Sequence, residues 1–338
     1  MKSYYRPIPL MEPASTAHAV RLAGGLCFAS HVECLSREHK PKIIPLSDVP
    51  ENARQAMTAP RAPIAGLSLD RPRLMGILNV TPDSFSDDGV HGAPDAAIRS
   101  ALDMVQAGAD MIDIGGESTR PGAVTVSVAD EIARTAQVIA GVRARTETPI
   151  SIDTRKAAVA KAALGAGANL VNDVSGFTFD PNLAKLCAQR AVPVCVMHAQ
   201  GDPATMQDNP HYGNVLLDVY DYLEESVDFL VSCGVERSCI LVDPGIGFGK
   251  TQAHNLALLR RISLFHTLGC PVLLGASRKR FIGTIGQEPV AAARAPGSIA
   301  VALAALGQGV QFLRVHDVAM TKQAVRLHDA IWDEDRHE

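Results

Sequence analysis

The sequence has no long apolar segment and no excess of positive charge. No run reaches the roughly 18 apolar residues that a membrane-spanning helix needs. Lys and Arg number 32 against 36 Asp and Glu, a formal net charge of −4, so the basic field that attracts nucleic acid is missing. The N-terminal apolar stretch is broken by Arg21 and lacks a cleavage motif, so no signal peptide is expected. We therefore expect neither a membrane nor nucleic acid as a partner.

The cysteines form no functional pattern either. There are seven, an odd number, and no two have the C-x-x-C spacing. A disulfide framework needs pairs, and structural zinc sites usually contain closely spaced cysteines. Reduced thiols are typical of the cytoplasm, which is the expected location.

The chain divides into parts of different character. Residues 1–72 contain nine prolines and show no sustained helical or strand period. We interpret them as an N-terminal extension of unknown role with a few short elements. From 73 to 333, short apolar runs alternate with longer amphipathic stretches rich in alanine, and 334–338 form a short tail.

Eight strand-then-helix units make up residues 73–333. Continuous apolar strands that alternate with helices predict a parallel sheet covered by helices. The number of units and their length favour a closed (β/α)8 TIM barrel, with an open doubly wound sheet as the alternative. The predicted strands are 74–80, 111–114, 149–152, 170–174, 193–197, 239–242, 271–274 and 312–315. The predicted helices are 94–107, 129–144, 156–166, 180–190, 214–233, 252–267, 296–308 and 318–332.

Polar residues stand at or just beyond the C-terminal end of every predicted strand. In a TIM barrel these ends meet at one rim, which is where active sites lie. We therefore expect the functional site at that rim. The polar positions, in strand order, are Asn79, 115–120, Asp153, Asn172, His198, Asp243, 277–279 and Arg314 with His316.

Asp153 and Asp243 are carboxylates at the ends of two near-opposite strands. Either side chain suits a general acid or base, or can accept hydrogen bonds from a nitrogen-rich ring, because an ionised carboxylate offers two acceptor oxygens. Together with Asn172 they would present acceptors and donors to one flat heterocycle. The alternative for Asp153 is capping of the following helix.

The last strand supplies polar donors. Arg314 and His316 lie where TIM barrels favour phosphate groups. Asn79, at the end of the first strand, offers one oxygen ligand for Mg²⁺, which binds few protein ligands when phosphate oxygens are present. His198 lacks a metal-ligand spacing, so packing or capping is its expected role. Residues 245–251 match neither nucleotide-loop template, so a tight glycine-rich turn is expected there.

Seven short strings stand in register along the second part of the chain. They are NVTPDSFSD at 79–87, DIGGESTRPG at 113–122, ISIDTR at 150–155, NDVSG at 172–176, DPGIGFGK at 243–250, SRK at 277–279 and RVHD at 314–317. In this order and spacing they closely resemble bacterial dihydropteroate synthases. The resemblance covers about residues 73–332.

The resemblance implies an activity in folate synthesis. A dihydropteroate synthase condenses 6-hydroxymethyl-7,8-dihydropterin pyrophosphate with 4-aminobenzoate, giving 7,8-dihydropteroate and pyrophosphate. It implies a Mg²⁺ cofactor bridging the diphosphate, a place among the enzymes that sulfonamides target, and a homodimer. The nearest rival is a methyltetrahydrofolate-dependent corrinoid methyltransferase, which would need no diphosphate site; a non-catalytic pterin-binding protein is the other alternative.

Site residues follow from the same resemblance. The pterin pocket, the diphosphate site and the aminobenzoate pocket are expected at different strand ends. Four residues are expected to be catalytic: Asp153, Lys279, Arg314 and His316. The pterin residues are Asp153, Asn172, Asp243 and Lys279; Met197 is a further substrate contact; the diphosphate residues are Asn79, Arg314 and His316; the aminobenzoate residues are Phe85, Thr119, Arg120, Pro121 and Phe248.

Three positions depart from the family pattern. Asp88 stands where many relatives have glycine, and Ala199 replaces a methionine. Arg280 stands where a number of relatives use a serine to hold the aminobenzoate carboxylate. Arg280 can either pair with that carboxylate or point away from it.

Overall fold

The computed structural model describes residues 2–12, 18–81, 89–118, 125–201 and 206–332, with the backbone alone for 89–93. The N-terminal extension contains two small antiparallel sheets, with strand order β1-β4-β5 in one and β2-β3 in the other. The sequence did not reveal these strands, because each is only two to five residues long. The elements are β1 (Tyr4–Pro7), β2 (Val20–Arg21), β3 (Phe28–Ala29), β4 (His31–Leu35), β5 (Lys42–Pro45) and α1 (Glu51–Thr58).

Eight parallel strands follow, in the order β11-β10-β9-β8-β7-β6-β13-β12. A parallel bridge between Val242 and Val272 joins the two ends of this sheet, so the strands form a closed ring. The predicted TIM barrel is confirmed and the open-sheet alternative is wrong. The strands are β6 (Arg73–Asn79), β7 (Met111–Gly115), β8 (Ile150–Asp153), β9 (Leu170–Asp173), β10 (Val194–Met197), β11 (Ile240–Asp243), β12 (Leu273–Leu274) and β13 (Phe312–Val315).

The helices lie between the strands, close to the predicted ranges. Two differences concern the last units of the barrel. The helix predicted at 252–267 ends at Arg260 and continues as a 3-10 helix over Ile262–Leu268, and a short helix follows β12 that was not predicted. The helices are α2 (Gly89–Gln106), α3 (Val128–Arg143), α4 (Ala157–Ala166), α5 (Leu183–Arg190), α6 (Val215–Ser232), α7 (Gln252–Arg260), α8 (Arg280–Ile285), α9 (Ala295–Leu306) and α10 (Val318–Trp332).

Local sequence accounts for several helix ends. Ser127 caps α3 by accepting from the backbone N–H of Asp130 at 3.1 Å, and Asn214 caps α6 in the same way. Thr251 and His254 form reciprocal capping bonds at the start of α7. Gly167 ends α4 in the left-handed conformation, with φ of 114°, which glycine adopts without steric cost.

The interior of the barrel is closed at its N-terminal end by the extension. Ile64 and Leu69 pack into a buried cluster that includes Met75, Met111 and Phe312, residues near the beginnings of their strands. A second and larger core separates the strands from the surrounding helices. The extension therefore completes the barrel core, at the end opposite the expected site.

Ion pairs hold the extension against the barrel helices. Glu33 of β4 accepts from Arg6 at 2.6 Å and from Arg261 at 3.2 Å, where α7 ends. Asp221 of α6 accepts from Lys2 at 2.5 Å and from Arg37 at 2.6 Å. The pairs at Asp221 are partly exposed, so each is worth less than about 1 kcal/mol; the buried apolar contacts contribute more.

Within the part of the chain that the structure describes, no helix is both long and apolar enough to cross a bilayer.

The closing role of the extension can be tested at Ile64, which has no exposed surface. Ile64→Ala should lower the free energy of unfolding by about 2–5 kcal/mol, because it leaves a cavity at the base of the barrel. Chemical denaturation followed by circular dichroism measures the loss. Ile43→Ala is the matched control, since Ile43 is 68% exposed. This substitution should lower the free energy of unfolding by at most about 0.5 kcal/mol. Equal losses in the two variants would contradict this assignment.

Candidate active site

The site is organised around Arg314, which lies on β13 between two carboxylates of other strands. Its Nε donates to Oδ2 of Asp113 at 2.6 Å, and its Nη2 donates to Oδ2 of Asp153 at 2.7 Å. Asp113 has no exposed surface and Asp153 is 9% exposed. Asp153 does not cap α4, whose N-cap residue is Lys156, so the capping interpretation is wrong.

Burial sets the protonation behaviour of this cluster. Burial alone would lower the pKa of Arg314, but Asp113 and Asp153 outweigh it and raise its pKa, so the guanidinium stays charged. Burial raises the pKa of Asp153; Arg314 opposes this shift and Asp113 adds to it. Oδ1 of Asp113 is buried without a hydrogen-bond partner in the described chain. The cluster thus holds a carboxylate oxygen that only a small rearrangement or a ligand could satisfy.

Asn172 and Asp243 extend the cluster across the barrel mouth. The Nδ2 of Asn172 donates to Asp113 at 3.3 Å. Asp243 ends β11, and its Oδ1 accepts from the N–H of Gly245 at 2.7 Å. Burial raises the pKa of Asp243 to about 6, against the opposing effects of that N–H and of Lys279. The predicted set of acceptors and donors for a flat ring is therefore assembled in one place.

Lys279 and Phe248 form one edge of the site. The Nζ of Lys279 lies 4.0 Å from the centroid of the Phe248 ring, which is cation–π geometry. Lys279 is also close enough to Asp243 to influence its pKa. Phe248 and Lys279, on loops after different strands, thus meet beside the buried carboxylates.

The glycine-rich turn that carries Phe248 is held by Lys250. Its buried Nζ donates to the carbonyls of Gly245 at 2.9 Å and Phe248 at 3.0 Å, and lies 2.8 Å from Nδ1 of His198. A Cβ at Gly245 would lie 1.9 Å from the His198 carbonyl oxygen, so a side chain does not fit there. The tight turn is confirmed, and so is the packing role of His198, whose ring meets Tyr222 edge-on at 4.7 Å.

His316 and Ser277 lie beside Arg314 at the adjoining strand ends. Nδ1 of His316 is 3.0 Å from Oγ of Ser277. Burial, together with the nearby charges of Arg278 and Arg314, lowers the pKa of His316 to about 4. A histidine with a depressed pKa is neutral at pH 7, so this ring offers a neutral N–H donor and not a cation.

Two further predicted positions lie on the same rim. Asn79 is the last residue of β6 and pairs in register with Gly115, whose other neighbour is Asp153. Met197 ends β10, is 3% exposed and pairs in register with Asp243. Both are therefore within the ring of strand ends that surrounds the cluster.

A buried ion-pair network stands on the β7 and β8 side of the mouth. Lys156 donates to Glu117, to Glu131 at 2.6 Å and to the carbonyl of Val126 at 2.7 Å, and Arg155 donates to Glu117 at 2.6 Å. Burial alone would raise the pKa of Glu117, but the bonds from Lys156 and Arg155 outweigh it and lower its pKa. The network fixes Glu117 and Val126, which lie on either side of residues 119–124 in the chain.

A cavity of about 400 Å³ opens at this rim. Its volume lies within the usual range for small-molecule sites. Phe248 forms one wall, so the cavity adjoins the Lys279 edge. Its lining includes Arg155, Phe179, Ala199, Met206, Tyr222 and Phe248. A cleft of about 800 Å³ between the extension and the barrel contains none of the predicted site residues.

Some predictions concern residues outside those that the structure describes. These are Phe85, Asp88, Thr119, Arg120 and Pro121, so the aminobenzoate pocket is represented here by Phe248 alone. Arg280 is exposed at the first position of α8, where its side chain takes no part in the buried cluster.

Asp113 is not among the site residues predicted from the sequence, although it is one of the two carboxylates that hold Arg314. A signal was present: a single charged residue in the otherwise apolar strand MIDIG. A charge inside a buried strand is seldom tolerated without a partner.

The cluster predicts a large effect of removing its cation. Arg314→Met should lower the free energy of unfolding at pH 7.5 by about 3–5 kcal/mol, because two buried carboxylates lose their counter-ion. Adding Asp113→Asn should restore at least about 1 kcal/mol, since one of these charges is then removed. Urea denaturation measures both. Arg280→Met, which changes an exposed arginine, is the control. If Arg314→Met were as stable as the parent, the cluster would contribute little to the free energy of unfolding.

Comparisons with known proteins agree with this geometry. The model of the pterin binding enzyme family matches residues 75–316. The dihydropteroate synthase of Synechocystis sp. is 45% identical over 262 residues, which are 78% of this chain and 91% of that protein. The Escherichia coli K12 dihydropteroate synthase is 43% identical over 267 residues, 78% of this chain and 93% of that protein.

Solved structures give the same result. The Xanthomonas albilineans dihydropteroate synthase with 4-aminobenzoic acid superposes with a TM-score of 0.77 at 44% identity, covering 81% of this chain and 98% of that one. The same enzyme in complex with 7,8-dihydropteroate gives a TM-score of 0.74 at 41% identity, with coverage of 81% and 99%. With a family model and full-length relatives in agreement, this chain belongs to the pterin-binding enzymes, in the dihydropteroate synthase family.

Proposed function

We propose that this chain condenses 6-hydroxymethyl-7,8-dihydropterin pyrophosphate with 4-aminobenzoate to give 7,8-dihydropteroate and pyrophosphate. It is a transferase of folate synthesis, as its family membership indicates. The observation that carries this conclusion is the buried cluster of Asp113, Asp153 and Arg314 at the mouth of the barrel, beside Lys279 and Asp243.

The pterin ring would bind against the buried polar groups. Its ring N–H and amino group are donors, which suits the acceptor oxygens of Asp243 and Asp153. The side-chain amide of Asn172 supplies a donor and an acceptor to the same plane. Lys279, over the face of Phe248, would bound the opposite edge. The neighbouring Met197 supplies an apolar contact at the end of β10.

The diphosphate would lie toward β13 and β6. Arg314 uses one N–H of Nε and one of Nη2 for its carboxylates, so three of its five N–H donors are left for phosphate oxygens. His316 would donate a neutral N–H, since its pKa is lowered to about 4. Donors in a site with little water stabilise the charge that develops on a leaving group.

Mg²⁺ fits this arrangement only as an ion held chiefly by substrate. Asn79 offers a single amide oxygen at the end of β6, and no group of three or more His, Cys, Asp or Glu side chains in the described chain is placed to hold a metal. Mg²⁺ commonly takes one or two protein ligands and otherwise water and phosphate oxygens. We therefore propose Asn79 as its protein ligand. The ion would neutralise charge on the departing diphosphate.

The residues favour an ionisation-like substitution. The bond between the pterin methylene carbon and the diphosphate oxygen breaks, and its electron pair leaves with pyrophosphate. Positive charge then spreads from the methylene into the electron-rich ring, next to Asp153 and Asp113. The amine nitrogen of 4-aminobenzoate forms the new bond with the methylene carbon and gives up a proton to the released pyrophosphate or to water. Because the amine is itself a nucleophile, no covalent enzyme intermediate is needed.

We further propose a homodimer formed through α10. Met320, Leu327 and Ile331 are 57%, 61% and 67% exposed, and their spacing of seven and four residues places them on one helix face. An exposed apolar stripe of this kind is typical of an interface, and a second copy of the chain is the partner proposed for it. Leu327→Glu should yield monomers in light scattering after size exclusion; a monomeric parent would contradict the proposal.

A cytoplasmic location is proposed on the state of the cysteines. All seven are free, and four of them are buried. Free thiols throughout a chain of this kind favour a reducing compartment.

The function is tested by turnover of the purified chain. With Mg²⁺ and the dihydropterin pyrophosphate, pyrophosphate release should depend on 4-aminobenzoate and be matched by dihydropteroate. Asp153→Asn should lower kcat/KM roughly tenfold or more, because a charge beside the reacting carbon is lost. Release that ignores the amine, or ligand binding without turnover, would overturn the proposal.

Pterin binding should depend on pH through Asp243. Because burial raises the pKa of this acid to about 6, the carboxyl gains a proton as the pH falls through 6, and one acceptor oxygen is lost. Affinity for 6-hydroxymethylpterin, measured by calorimetry, should therefore fall below pH 6 by up to about tenfold per pH unit. Asp243→Asn should bind more weakly at pH 7.5 and with a flatter pH profile. Equal parental affinity at pH 5 and pH 8 would exclude this role.

A further inference from the structure

Arg278, the residue before Lys279, has an unusual backbone conformation. Its φ is +59°, in the left-handed region that side chains with a Cβ adopt at a cost of about 1–2 kcal/mol. Such strain persists only where the surroundings enforce it, and it is often found next to functional groups. Here it falls between Ser277, which meets His316, and Lys279, which meets Phe248.

Three neighbours enforce this conformation. The guanidinium of Arg278 forms a two-point ion pair with Asp317, in which Nε donates to Oδ2 at 3.0 Å and Nη2 to Oδ1. The backbone N–H of Arg278 donates to Oγ of Ser298 at 2.9 Å. Its carbonyl accepts from Nη1 of Arg294 at 3.1 Å. The side chain, the amide and the carbonyl of Arg278 are thus all held at once.

The conformation determines where Lys279 begins. The chain turns at Arg278, and Lys279 then returns to an extended conformation as the N-cap residue of α8, with φ of −63° and ψ of 156°. From there its side chain crosses Gly247, where a Cβ would lie 3.1 Å from Cδ of Lys279, to reach the Phe248 ring. A change in the backbone at Arg278 would swing this side chain away from the ring.

The holding residue Asp317 also connects two parts of the site. It follows His316 directly, and its carbonyl accepts from Oγ1 of Thr321 in the first turn of α10. Because β13 carries Arg314, the ion pair with Arg278 ties the loop of Lys279 to the strand end that carries the other cation of the mouth.

We propose that Arg278 is a positioning residue for Lys279. Its left-handed backbone, held by Asp317, Ser298 and Arg294, aims the Lys279 ammonium across Phe248 and so sets the affinity for the pterin. This rests on the proposed function only in taking the pterin as the ligand of the Lys279 edge.

The test compares Arg278→Ala with Arg278→Gly. Both variants lose the guanidinium and its pair with Asp317, and they differ only in the Cβ. Glycine adopts positive φ freely and alanine does not. The glycine variant should therefore bind 6-hydroxymethylpterin about tenfold more tightly than the alanine variant in calorimetry, a difference of about 1.4 kcal/mol.

A second pair of variants separates positioning from a general effect on folding. In a Lys279→Ala background, Arg278→Ala and Arg278→Gly should bind the pterin equally, because the side chain that is aimed has been removed. Thermal unfolding of all variants shows that each is folded at the temperature of the titration.

Two results would overturn the inference. One is equal affinity of the alanine and glycine variants when Lys279 is present. The other is an undiminished difference between them when Lys279 is absent. Turnover of the parent chain with 4-aminobenzoate is measured separately and tests the proposed function. If the parent binds the pterin without turnover, the proposed function is refuted. The comparison of the alanine and glycine variants still decides the role of Arg278.

Discussion

The structure of the barrel mouth depends on one constraint: two buried carboxylates share a single guanidinium. Asp113 and Asp153 stand on neighbouring strands, and Arg314 reaches both from β13. An unpaired charge at such depth would cost several kcal/mol, so the strands must keep the register that brings the three together. The extension at the other end of the barrel supports this register, because Ile64 and Leu69 fill the space between the strand beginnings.

The same constraint gives the site its chemical character. Asp113, Asp153 and Asp243 all lie close enough to Arg314 to raise its pKa, so the described mouth places several carboxylates around one shared cation. Negative charge beside a methylene carbon favours a state in which that carbon is positive. In the proposed reaction, the donors of Arg314 and His316 would face the departing diphosphate. Separation of opposite charges is what an ionisation-like substitution requires.

The sequence predicted the barrel because its signals are local: apolar runs, amphipathic helices and polar strand ends repeat eight times. It also placed Asp153, Asn172, Asp243, Lys279 and Arg314 at one rim, since strand ends meet there, and the structure brings them together; their roles stay predictions. It did not reveal Asp113, whose importance depends on a partner about two hundred positions away, nor the protonation of His316, which depends on burial. The two sheets of the extension were missed because their strands are only two to five residues long, too short to show a sustained period.

The most direct measurement is positional isotope exchange in the dihydropterin pyrophosphate. The substrate carries ¹⁸O in the bridge between the methylene carbon and phosphorus and is incubated with the protein and no amine. If charge separation precedes attack, as the cluster around Arg314 predicts, the label should move into non-bridging positions, and more slowly in Asp153→Asn. A label that stays in the bridge while 4-aminobenzoate is turned over normally would show that the amine must attack before the bond breaks, and would contradict this account.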